Sequence, residues 1–186
     1  MKIAAVFVVL LPCVGLADPL PSAVNMADII AAVAPNWNSA GAFKAVLVRD
    51  PDDASLYLFD DPFDEIPAAV LPQIVFSGSM WGQIPWLEFD EGGALLVNSE
   101  NMSVGRNRWQ QTITIKRQNS GYFVTGYSYS AYDALDLDYS LDCTIDFETG
   151  SANRDGEILI MHENIPPVPV ESWGGSYFRG CFQESD

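Results

Sequence analysis

The feature that most constrains this chain is a cadence. From residue 42 onward, apolar and β-branched runs recur at 43–48, 55–59, 71–76, 86–89, 94–98, 109–117, 122–132, 143–148 and 158–162. Turn-forming residues interrupt them: Asp50-Pro51-Asp52-Asp53, Asp60-Asp61-Pro62, Ser77-Gly78 and Asp90-Glu91-Gly92-Gly93. Short runs bounded by Gly, Pro and Asp read as strands, because those residues favour turn dihedrals over a ladder. Asn119-Ser120-Gly121 and Asp155-Gly156 carry hairpin chemistry. Strands joined by such short links pair antiparallel, since parallel pairing needs a long crossover. The expectation is a mainly β chain: one antiparallel β-meander curled into a sandwich- or half-barrel-like sheet, with one short N-terminal helix.

The alternation within strands refines this. Thr112, Thr114 and Lys116 fall on one face of a strand and Ile113 and Ile115 on the other. In the next, Phe123, Tyr127 and Tyr129 are expected to share a face opposite Val124, Gly126 and Ser128. One apolar and one polar face suits a sheet with its core on one side and solvent on the other. The helix is expected over 24–34, capped by Ser22, ended by Pro35 and packed through Ile29, Ile30 and Val33. Pro166, Pro167 and Pro169 then impose an extended tail.

The first residues have a different character. Lys2 supplies one positive charge, residues 3–11 are an unbroken apolar run too short to span a bilayer, and Pro12 breaks it. Gly15-Leu16-Ala17 offers small residues where a signal peptidase reads. The reading is a signal peptide over 1–17, cleaved to leave Asp18 first, and a single β-rich exported domain over 18–186, periplasmic or secreted. A retained anchor is the alternative. Lipidation at Cys13 is disfavoured by Pro12, which stands where a small residue is required.

Cleavage removes Lys2 and no acid, leaving 8 Lys and Arg against 25 Asp and Glu. Such a charge repels nucleic-acid phosphates and anionic membrane surfaces. No later apolar stretch is long enough for a membrane helix, so no stable insertion is expected after cleavage. Cys143 and Cys181 are the cysteines that remain, an even pair in an oxidising compartment, and a Cys143–Cys181 disulfide is expected. Two separate thiols are the alternative. A metal site on them is disfavoured, because no CxxC is present and His162, the single histidine, is near neither.

The segments Ser99-Glu100-Asn101, Gly105-Arg106-Asn107-Arg108-Trp109-Gln110-Gln111-Thr112, Gly121-Tyr122-Phe123-Val124, Gly126-Tyr127-Ser128-Tyr129-Ser130 and Asp133-Ala134-Leu135-Asp136 carry a resemblance. It continues through 143–150. Over roughly residues 43–156 the chain resembles uncharacterised exported proteins of Gram-negative bacteria. Ser151 departs from the basic residue expected after Thr149-Gly150. The resemblance implies a β-rich exported domain and carries no activity with it.

Tests for chemistry return little. A Ser-His-Asp set would need His162 as its base, and neither Gly78-Ser79-Met80 nor Gly175-Ser176-Tyr177 forms a Gly-x-Ser-x-Gly elbow. Paired carboxylates for glycan hydrolysis would come from Glu88, Glu100 or Glu157. Calcium, the one cofactor considered, would need Asp50, Asp52 and Asp53, Asp60 and Asp61, or Asp136 and Asp138; none follows the calcium-loop pattern, and solvated turns explain them. The most distinctive group is Arg106, Arg108 and Trp109. Two guanidiniums beside an indole can grip an anion or a sugar. In so acidic a chain they are expected instead to pair with carboxylates, from Glu100 or residues 133–142, while Trp109 enters the core. Tyr122, Tyr127, Tyr129 and Tyr132 are read as core and cross-strand residues before a sugar platform. The leading expectation is a non-enzymatic binding module for an unidentified protein or small ligand; the alternative is a glycan-acting hydrolase using paired acids.

Overall fold

A computed structural model describes residues 26–35, 43–118, 121–136, 138–160 and 166–174. The signal-peptide segment, His162 and Cys181 lie outside these residues. Among them the chain is mainly β and antiparallel throughout, with two short 3-10 turns, Met26–Asp28 and Val170–Ser172, and no α-helix. Strands β1 (Ile29–Val33), β2 (Lys44–Arg49), β3 (Asp53–Phe59) and β4 (Ala69–Phe76) form one sheet in chain order. Strands β5 (Trp86–Phe89), β6 (Leu95–Asn101), β7 (Asn107–Gln118), β8 (Gly121–Asp133), β9 (Ser140–Asp146), β10 (Ser151–Arg154) and β11 (Glu157–Ile160) form a second, also in chain order. Strand β12 (Val168–Pro169) joins that sheet on β8, beyond the end of β9. Neither sheet closes into a barrel.

Two expectations are corrected. The meander is not one sheet: residues 77–85 interrupt it and divide the strands four and eight. Nor do residues 26–35 form a helix. After the 3-10 turn they run as β1, paired with β2 from Ile29↔Val48 to Val33↔Ala45. Alanine's helix propensity is a weak preference, and Ile29, Ile30 and Val33 are β-branched. The outer edge of β2 offers them a ladder that an isolated helix cannot match.

The sheets share one core. Leu47, Leu56, Leu58 and Val75 from the first meet Leu95, Val97, Ile113, Ile115 and Ile145 from the second. Phe43 sets its ring edge-on to both Phe89 and Tyr122, each at 5.1 Å. Polar links reinforce the contact. The Ser99 hydroxyl donates to the Phe76 carbonyl at 2.8 Å, and the Tyr122 hydroxyl donates to Asp60 Oδ1 at 2.9 Å, beside Arg117. Burial, then the Asp60 carboxylate, push the Tyr122 hydroxyl up.

Strand β8 breaks the simple alternation. Val124 lies opposite Ile115 and Gly126 opposite Thr114, so Thr125 is an extra residue with no partner in that ladder. Tyr122 and Val124 are buried before this bulge and Tyr127 after it. Phe123 therefore does not share a face with Tyr127, as strict period-two counting requires. The bulge accounts for the difference.

Candidate functional site

A meander sends its turns alternately to two ends. In the larger sheet the segments 77–85, 102–106 and 134–139 fall at one end, before β5, between β6 and β7, and between β8 and β9. Backbone and amide contacts brace them. The Met102 N–H donates to the Gly82 carbonyl at 2.9 Å, and the Ala134 N–H to the Arg106 carbonyl at 2.8 Å. Gln83 Nε2 donates to Asn101 Oδ1 at 2.9 Å, and Asn101 Nδ2 donates to the Val104 carbonyl at 2.9 Å. Gly82, with φ +75°, takes a left-handed conformation that a β-carbon would strain.

With polar groups turned inward to hold the loops, large apolar side chains are left outside. The first segment exposes Met80, Trp81 and Ile84, and Trp86 stands at the start of β5. The second adds Val104; the third adds Leu135 and Tyr139, beside Tyr132 at the end of β8. Trp81 is 85 % exposed and Leu135 80 %. Eight of the thirteen exposed large apolar side chains among the described residues thus gather at one end of one sheet. Scattered apolar residues are ordinary on a protein surface, but a gathered set marks an interaction site.

The Arg106, Arg108 and Trp109 group borders this end, and its members separate. Arg106 Nε donates to Asp133 Oδ2 at 2.6 Å, and its Nη2 reaches the same oxygen. The Arg106 guanidinium, with the Leu135 N–H, holds the Asp133 carboxyl below the usual carboxylate range, and the same bond raises Arg106. Arg108 lies opposite Tyr132, and its buried Nη1 has no hydrogen-bond partner. No salt bridge to Arg108 is found among the described residues. Trp109 lies on the opposite face of β7, because adjacent strand residues point to opposite sides. It is partly buried, stacked on Tyr129 with ring centres 6.4 Å apart and edge-on to Phe76 at 5.8 Å. The three do not line one pocket. The tyrosines also divide: Tyr122 and Tyr127 are buried, Tyr129 supports Trp109, and Tyr132 is exposed.

The candidate acids do not converge. Glu88 sits opposite Leu96, four residues along β6 from Glu100, a separation of about 14 Å at strand spacing. Glu157 is on β11, five strands from β6, or about 24 Å across the sheet. Paired-acid hydrolysis needs about 5–10 Å. Glu88 instead accepts a hydrogen bond from Asn98 Nδ2 at 3.0 Å. The aspartate turns are used locally. Asp61 accepts the Phe63 N–H at 2.8 Å, Asp136 the Asp138 N–H at 3.3 Å, and Asp50 the Ser55 hydroxyl. Among the described residues no three His, Cys, Asp or Glu side chains are grouped to hold a metal.

A concavity of about 220 Å³ lies between β4 and Trp173, lined by Leu71, Pro72, Ile74 and Val170, with Gln73 and Glu171 at its polar positions. Residues 72–74 bow out opposite Ser55, and Gln73 has φ +50°.

No family model, curated protein or solved structure matches this chain. The functional reading therefore stands on the geometry. What sequence reasoning missed was the 77–85 segment. Its signal is Met80-Trp81 set between Gly78 and Gly82, two large apolar residues inside a turn and out of any strand alternation.

Proposed function

We propose that the chain is an exported, non-enzymatic binding module, periplasmic or secreted, which takes its partner at the loop end of the larger sheet. The observation that carries this is the gathering of exposed Trp81, Leu135 and their neighbours on braced loops. Burial of that surface against a partner would recover free energy now spent on exposing it to water. The signal-peptide pattern of residues 1–17 and the resemblance over residues 43–156 support export. The shared core of two antiparallel sheets supports a sandwich-like arrangement.

A Cys143–Cys181 bridge belongs to the same reading. Cys143 is buried on β9. Trp173 lies 6.1 Å from Tyr127, whose ladder partner Ile145 is two residues from Cys143. Eight residues lead from Trp173 to Cys181, a reach of about 27 Å, ample for that span.

The test is site-specific photocrosslinking in the producing cell. A photoreactive residue at position 81 should yield a discrete adduct, and one at position 63, exposed at the far end, should not. Equal adducts at both positions, or none at 81, would reject the loop end as the binding surface.

A further inference from the structure

We infer that the partner taken at this end is a cationic protein segment bearing apolar side chains, an inference that rests on the loop-end reading above. The argument is charge complementarity around an apolar centre. Asp136 and Asp138 lie between Leu135 and Tyr139 in the third loop, with Asp142 just inside β9. Glu100 and Glu157 lie at the same end on β6 and β11. None of these five acids forms a salt bridge among the described residues. The local cations are already committed: Arg106 to Asp133, and Arg154 to Asp155 at 3.6 Å. Arg108, partly buried and with its Nη1 shielded from solvent, is the remaining one. An apolar centre with an acidic surround attracts a basic amphipathic segment and repels an anionic one.

Other ligand classes fit less well. A sugar site needs flat aromatic faces with many hydrogen-bond groups; Trp81, Trp86, Tyr132 and Tyr139 offer such faces, but Met80, Ile84, Val104 and Leu135, half of the exposed set, are aliphatic and supply neither. An anionic lipid surface or a nucleic acid meets a chain whose net charge is −16. A basic segment gains from that overall field as well as from the local acids.

The experiment uses the purified exported chain and three probes: an amphipathic Lys–Leu peptide, its Glu–Leu counterpart, and neutral chitohexaose. Binding is read by calorimetry and by indole fluorescence. The Lys–Leu peptide should bind, weakening about tenfold between about 50 and 500 mM salt. Trp81→Ala with Leu135→Ala should weaken it about tenfold or more. Asp136→Asn with Asp138→Asn should weaken it and flatten the salt dependence, whereas Glu65→Gln with Glu91→Gln, at the opposite end, should not. Circular dichroism confirms that each variant is folded. If the Glu–Leu peptide or chitohexaose binds as well in a Trp81-dependent way, or if no probe binds, the cationic partner class is wrong and the loop-end reading stands. If the remote Glu variant weakens binding equally, attraction is to bulk charge and the inference fails. If the Lys–Leu peptide binds but the Trp81/Leu135 variant binds it unchanged, the loop-end reading itself fails.

Discussion

Trp109→Ala tests whether the most distinctive residues of the sequence are structural. Trp109 stacks on Tyr129 and meets the edge of Phe76, so its ring joins the two sheets where they approach the loop end. A tryptophan buries about 200 Å² of surface, worth about 5 kcal/mol at about 25 cal/mol per Å². Trp109 keeps part of its ring in solvent and the alanine retains a β-carbon, which brings the expected loss to about 3 kcal/mol. For a domain of this size that is a fall in Tm of about 6–12 °C. Trp109→Phe, which can keep one aromatic contact, should lose about half as much. Trp81→Ala is the internal comparison: at 85 % exposure it should change stability by about 0.5 kcal/mol or less. Urea and thermal unfolding followed by circular dichroism measure all three. A Trp109→Ala chain that unfolds within about 1 kcal/mol of the parent would refute the structural assignment and place the indole among ligand-binding groups.

Three further outcomes are expected. Reduction of the exported chain, or Cys143→Ser, should lower stability by about 4 kcal/mol if a bridge closes the loop to Cys181, and non-reducing mass spectrometry should find the unreduced chain two protons lighter. Because the Asp133 carboxyl is held below its ordinary value of 3.8, its stabilising pair with Arg106 is present above that value and is lost as pH falls below it; amide exchange in residues 133–136 should accelerate there before the core amides do. Terminal sequencing of exported material should begin at Asp18, and a retained Met1 would refute the signal-peptide reading.

Much of the larger sheet was legible because its strands are long and its turns conspicuous. The run read at 86–89 is β5, and those read at 109–117 and 122–132 lie within β7 and β8. Strand β10 was missed because Ser-Ala-Asn-Arg contains no β-branched residue; it is a strand because β9 and β11 flank it. Strand β1 was misread for the opposite reason, an alanine-rich window whose fate is decided by the edge of β2. The division into two sheets has no local sign, since residues 77–85 read as one more turn. At the candidate site, the pairing of Arg106 with an acid of residues 133–142 was foreseeable from charge excess. The separation of Arg108 from Trp109 was equally present in the strand period, and only proximity in sequence obscured it.

The bulge in β8 has a consequence for how the chain can change length. A central strand ordinarily tolerates no deletion, because losing one residue exchanges the two sets of side chains from that point onward. β8 carries one residue of slack. Thr125 has no opposite number on β7, so a single deletion nearby can be absorbed by ironing the bulge flat, with Tyr122 and Tyr127 still on the core side. The forfeit would be local: the Phe147 N–H, which donates to the Thr125 carbonyl at 3.0 Å, would need another acceptor. An insertion finds no such reserve. The longest strand among the described residues is therefore lopsided in its tolerance, forgiving of contraction at its midpoint and intolerant of growth.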